Sequence, residues 1–170
     1  MKTNIALIGF MGTGKTAVGR RLAAATGREF LELDDAIGEK AGMAVPEIFR
    51  REGEAGFRQR EAAAVAEAAG RRNTVIACGG GVVLTTININ RLRESGRIVL
   101  LTAARGVILK RTRRDGAVRP LLATADPAAD IARLLEQRRP LYRRAADVTV
   151  STTRRTPDEV VLEIRRKLQV

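Results

Sequence analysis

Strand-like runs of apolar residues at 4–8, 29–33, 74–78, 97–101 and 147–150 alternate along the chain with longer stretches of helical character. Such alternation predicts a parallel sheet with helices on both faces. Helices are expected at 17–25, 36–41 and 45–69, the last with Pro46 in its first turn and Gly70 at its end. Two more follow the signals of a cap and then a proline: 126–139 opens on Asp126-Pro127, and the final helix on Thr156-Pro157-Asp158-Glu159. The stretch 112–126 is rich in arginine and has little apolar periodicity, so it reads as a mobile loop over a site. There are no repeats and no low-complexity linkers.

Between the first strand and the first helix stands Gly9-Phe10-Met11-Gly12-Thr13-Gly14-Lys15-Thr16, a full match to the phosphate-binding pattern G-x-x-x-x-G-K-[ST] in its proper strand-loop-helix setting. Glycines at 9, 12 and 14 permit backbone torsions closed to other residues, so amides can cup polyphosphate oxygens at the helix start. Lys15 then brings a point charge to the β- and γ-phosphates, and the Thr16 hydroxyl supplies part of a Mg²⁺ shell.

Composition narrows the chemistry. With 170 residues the chain is the size of one domain, and aromatic residues at 3% leave the core to Ala, Val, Leu and Ile. Histidine is absent, which removes histidine acid-base chemistry and most zinc sites; catalysis must rest on carboxylates, lysine, arginine and metal. One cysteine, Cys78, forms no internal disulfide and suits a reducing cytosol. No run approaches the roughly 18 apolar residues of a membrane span, and the apolar N-terminal run leads into the phosphate loop rather than a cleavage site. A cytoplasmic protein is expected. The net charge of +12, mostly arginine, calls for anionic partners. Nucleic acid competes for that role, but the arginines come in scattered pairs and stacking aromatics are nearly lacking.

Three further clusters carry chemistry. In Leu31-Glu32-Leu33-Asp34-Asp35, strand alternation sends Glu32 and Asp34 to one face at the carboxyl edge of the sheet, where they could hold Mg²⁺ and orient a hydroxyl; an aspartate capping the next helix is the plainer alternative. Glu54 and Glu61 lie four before and three after Arg58, spaced to orient its guanidinium toward a carboxylate, or to form a surface ion-pair ladder. Gly79-Gly80-Gly81 suits either close approach of a ligand to backbone or a flexible turn.

Taken together, these motifs resemble the shikimate kinase family of P-loop proteins. The likeness runs over nearly the whole chain: the phosphate loop, the acids around Asp34, Gly53-Glu54 with Phe57-Arg58, Gly79-Gly80-Gly81, Arg119-Pro120-Leu121-Leu122, Arg138 with Pro140-Leu141-Tyr142, and Arg154-Arg155-Thr156-Pro157. The resemblance implies a three-layer α/β/α P-loop kinase fold with a five-stranded parallel sheet. It implies one domain over 1–170, with a mobile lid at about 112–126 and a substrate-binding helical region at about 34–62. ATP and Mg²⁺ are the implied cofactors, shikimate the acceptor and a monomer the working unit, with no nucleic acid or membrane partner.

By the same resemblance, Lys15, Asp34 and Arg119 are catalytic. Asp34, Arg58, Gly79, Gly80, Gly81 and Arg138 bind the acceptor, with Arg58 and Arg138 clamping its carboxylate. Gly12, Thr13, Gly14, Lys15, Thr16, Ala17, Arg111, Arg119, Arg155 and Pro157 bind nucleotide, Arg111 and Pro157 around adenine. Thr16 and Glu32 serve the metal. The family commonly has aspartate where this chain has Glu32, and the lid segment Arg113-Arg114-Asp115 is unusually charged. The same scaffold could instead serve another small polyhydroxy acid such as gluconate, or act as a nucleotide-binding switch without transfer.

Overall fold

The computed structural model describes residues 2–122 and 124–170. Five strands, β1 (Asn4–Ile8), β2 (Glu29–Glu32), β3 (Thr74–Ala77), β4 (Gly96–Thr102) and β5 (Val148–Ser151), form one sheet in the order β2-β3-β1-β4-β5. Every pairing is parallel, with Ile5 opposite Val75 on one side and Arg97 on the other. The helices are α1 (Lys15–Thr26), α2 (Leu33–Ala41), α3 (Val45–Gly70), α4 (Thr86–Ser95), α5 (Arg105–Arg114), α6 (Pro127–Ala145) and α7 (Pro157–Leu168), with 3₁₀ turns at Val82–Leu84 and Pro120–Leu122.

Alternation along the strands divides the core in two. Ile5 and Leu7 of β1 with Val99 and Leu101 of β4 pack against Val18 and Leu22 of α1 and Val160 and Ile164 of α7. Ala6, Ile8, Ile98 and Leu100 face the other way, onto Val65 of α3, Leu92 of α4 and Ile131 of α6. This is the three-layer α/β/α arrangement. Chain crossovers run to one side of β1 for β2 and β3 and to the other for β4 and β5, so the carboxyl end of β1 is the switch point at which ligands bind in open α/β sheets. The phosphate loop emerges there. Among the described residues, no helix is long and apolar enough to cross a membrane.

Several elements differ from the sequence-based expectation. The second strand stops at Glu32, and Asp34 lies in the first turn of α2 rather than on the strand. Leu33 is fully buried, and Asp34 and Asp35 are favoured by the helix dipole at that end. The long helix breaks at Gly53, whose φ of 69° and ψ of −176° are open essentially to glycine alone. Glu54, Arg58 and Glu61 therefore belong to a separately oriented segment. α6 continues past Arg139 and through Pro140 to Ala145, because burial of Tyr142 and Ala145 outweighs the backbone bond that proline removes. Helix α5 runs to Arg114, into the stretch expected to be irregular. Of that stretch, Ala123 lies outside the described residues.

Candidate active site

The first turn of α1 has no side-chain cap, and Gly14 precedes it in the left-handed conformation, so its amides are left to an anion. Lys15 Nζ folds back to donate to Gly9 O at 2.8 Å and Phe10 O at 2.9 Å. Desolvation lowers the Lys15 pKa to about 8, against the opposing pull of Glu32 and Asp34. The Thr16 hydroxyl donates to Glu32 Oε2 at 2.6 Å, joining the two residues the sequence assigns to the metal. Burial raises the Glu32 pKa, and the Thr16 bond works the other way.

Asp34 reaches the same region from α2. Its Oδ1 is buried without a hydrogen-bond partner, and burial raises its pKa, with Lys15 opposing. A buried acceptor left open in this way suits a ligand hydroxyl. Glycine at 79 provides the room: a Cβ there would stand 3.0 Å from Asp34 Oδ1.

From α3, Arg58 donates to Glu61 Oε1 at 3.0 Å and to Glu54 Oε1 at 3.2 Å, as the helical spacing predicts. Glu61 is wholly buried, which the sequence did not signal. Its carboxyl pKa is raised by burial, against the attraction of Arg58. A Cβ on residue 81 would lie 2.3 Å from Arg58 Nη2, so the glycine is required for the guanidinium to sit where it does. Gly81→Ala should therefore displace Arg58, raising the acceptor KM about tenfold with little change in the KM for nucleotide; steady-state kinetics with both substrates varied checks it. From α6 comes Arg138, only 4% exposed. One turn on, the Tyr142 hydroxyl donates to Gly80 O at 2.5 Å, tying α6 to the glycine turn.

Two cavities result. One, of about 570 Å³, is lined by Asp34, Arg58, Glu61, Gly81 and Arg138, with an apolar wall of Phe57 and of Met43 and Phe49, which the sequence reading missed. The other, of about 480 Å³, is lined by Gly12, Gly14, Lys15, Thr16, Ala17, Glu32, Arg111, Arg114 and Asp115. They share Met11, Asp34, Gly79, Gly80 and Arg119 as a common boundary. Arg119 is ion-paired with Asp115, and its Nε is buried without a partner.

A recess of about 330 Å³ continues the second cavity past Gly14, Ala17 and Arg111 to Thr13, Arg155 and Pro157. Arg111 is fixed there by Gly12 O at 3.2 Å and by Thr152 Oγ1 at 2.9 Å. Buried Thr152, which no sequence motif marked, also donates to Thr13 O at 2.8 Å. Arg155 is held by an ion pair with Glu163 and donates to Ser151 O at 3.2 Å.

Among the described residues, no three or more acidic, cysteine or histidine side chains are grouped to cage a metal ion. Thr16 with Glu32 nevertheless fits Mg²⁺, which ordinarily takes one or two protein ligands and completes its shell with water and phosphate oxygens.

A phosphate loop at the switch point of a parallel sheet, opening through a shared boundary onto a carboxylate- and guanidinium-lined cavity, defines a P-loop kinase for a small acceptor. The shikimate kinase family profile matches residues 11–169. The chain is 48% identical over 167 residues to the shikimate kinase of Symbiobacterium thermophilum, covering 98% of this chain and 96% of that one. It is 47% identical over 165 residues to that of Bordetella pertussis, covering 97% and 78%. Its fold matches a structure of shikimate kinase from Acinetobacter baumannii in complex with shikimate at a TM-score of 0.94 and 40% identity, covering 98% of this chain and 93% of that one. The chain belongs to the shikimate kinase family.

Proposed function

We infer that this enzyme transfers the γ-phosphoryl group of ATP to a hydroxyl of shikimate, giving shikimate 3-phosphate and ADP. The observation that carries the reading is the boundary shared by the two cavities, with Asp34 and Arg119 on it and Lys15 beside it. Phosphoryl transfer asks a protein for alignment and charge stabilisation rather than covalent chemistry. Asp34 accepts the hydrogen bond of the acceptor hydroxyl, takes its proton as the oxygen bonds to phosphorus, and holds that oxygen toward the phosphate cavity. Arg58 and Arg138 fix the acceptor by its carboxylate, since two guanidiniums facing one cavity recognise an acid in bidentate fashion. Lys15 and the loop amides take up charge on the transferring group, and Arg119 exchanges Asp115 for phosphoryl oxygens. Arg111, Arg155 and Pro157 shape the place of the adenosine portion. Thr16 and Glu32 would hold Mg²⁺, which would supply further neutralisation of the phosphates. Residues 112–126 serve as a lid that excludes competing water, and 34–62 as the acceptor-binding region of a single-domain cytoplasmic monomer.

Arg58→Ala and Arg138→Ala should each raise the KM for shikimate by about 1.5–3 kcal/mol, roughly 10- to 150-fold, with a smaller change in kcat. Unchanged KM values in both variants remove the carboxylate clamp. The identity of the acceptor is tested separately by coupled assay with a panel of hydroxy acids; turnover of gluconate equal to that of shikimate overturns the substrate assignment.

The activity should also fall off on both sides of neutrality. Lys15, with its pKa near 8, is charged below that value and neutral above it, so kcat/KM for ATP declines as pH rises through about 8. Asp34, its pKa raised by burial, is protonated below its titration and ionised above it. The acidic limb of kcat/KM for shikimate therefore lies above the ordinary carboxylate range. A pH profile for each substrate checks both limbs.

A further inference from the structure

A cavity of about 330 Å³ lies behind the phosphate loop, between α5 and α6 at the carboxyl ends of β4 and β5. Its walls are largely apolar, with Phe10, Leu100, Ile108 and Leu135, and are interrupted by the threonines Thr13, Thr102 and Thr149. Two guanidiniums, Arg139 and Arg143, complete the lining from one face of α6, four residues apart. Neither side chain has an ion pair or a side-chain hydrogen bond with any other described residue, so both guanidiniums are open to an anion. Neither borders the acceptor cavity or the phosphate cavity.

A partly open, largely apolar recess at the small end of the range for ligand sites, with two guanidiniums at its edge, is complementary to a molecule with one apolar body and one anionic end. A carboxylate matches the forked donors of arginine best. We propose that this cavity is a second binding site, distinct from the acceptor and nucleotide cavities, for a small apolar carboxylate of single-ring or branched aliphatic size.

The test is isothermal titration of 3-phenylpropionate into the intact enzyme saturated with shikimate, which occupies the acceptor cavity. The expected result is saturable binding that weakens by about fivefold or more in the double variant Arg139→Gln/Arg143→Gln. Both arginines are solvent-exposed, so the variant keeps its fold. The uncharged 3-phenylpropionamide should bind about fivefold or more weakly than the acid. Lys15→Ala and Arg58→Ala, which alter the other two cavities, should leave the affinity within about twofold. Absence of saturable binding up to about 20 mM, equal binding of the amide, indifference to the double variant, or loss in Lys15→Ala or Arg58→Ala each overturns the proposal.

Discussion

Replacing Lys15 by alanine should lower kcat by about 10²- to 10³-fold, the 2.7–4 kcal/mol scale of one group stabilising transition-state charge in a water-poor site. The ammonium is aimed into the loop, bonded to the carbonyls of Gly9 and Phe10, and stands next to Glu32 and Asp34 at the edge of the phosphate cavity. Arrival of the γ-phosphate would give it a stronger partner than two neutral carbonyls, and the partnership should strengthen as charge spreads over the transferring oxygens. Folding stability should move the other way. A lysine whose pKa falls from 10.5 unfolded to about 8 folded binds fewer protons in the native state, so its contribution to stability is unfavourable below about 8. That penalty shrinks as pH rises from about 8 toward 10.5. Lys15→Met should therefore lose activity without a fall in Tm at neutral pH. Paired single-turnover kinetics and calorimetry separate the two effects; a variant that keeps full kcat refutes the role of the ammonium.

The second large effect is expected at Asp34. Asparagine keeps the shape but not the charge, and removal of a positioned base typically costs about 10²- to 10⁴-fold. The carboxyl is buried, with Oδ1 unpartnered, and faces Gly79, where a side chain of any size would crowd it. Asp34→Asn should lower kcat within that range while changing the KM for ATP little. Its residual rate should also lose the acidic limb of the pH profile, an outcome that simple disruption of packing would not produce. Retention of that limb in the variant assigns the titration to another group.

What could be read from the chain before its structure follows the distance over which each interaction acts. The phosphate loop was legible because its physics is local, with glycine torsions, a helix start and a lysine all within eight successive residues. The Glu54, Arg58 and Glu61 cluster was legible for the same reason, since helical spacing alone brings the three together. For Asp34 the boundary between strand and helix was drawn too late, because a buried leucine between two acids fits a strand end as well as a first helical turn. The break at Gly53 went unseen: glycine within a helix-prone stretch does not announce its φ. Helix α4 was missed because Thr86–Ser95 is largely polar and is held by burial of Ile89 and Leu92 rather than by a strong apolar stripe. Contacts between distant segments left no local trace at all. Arg111 with Thr152, Tyr142 with Gly80 and the burial of Glu61 all depend on how the sheet brings its carboxyl edge together. Arg138 was reached only through family likeness, and no periodicity points to it.

One cleft should hold a triphosphate and a hydroxy acid on either side of the boundary formed by Asp34 and Arg119. Phosphorus NMR of the purified enzyme with ATP, Mg²⁺ and shikimate tests it most directly. ADP and a phosphate monoester of shikimate should appear in equal amounts, with almost no ADP or free phosphate when shikimate is omitted. ADP formation at the same rate without shikimate, or free phosphate in place of the ester, would contradict it.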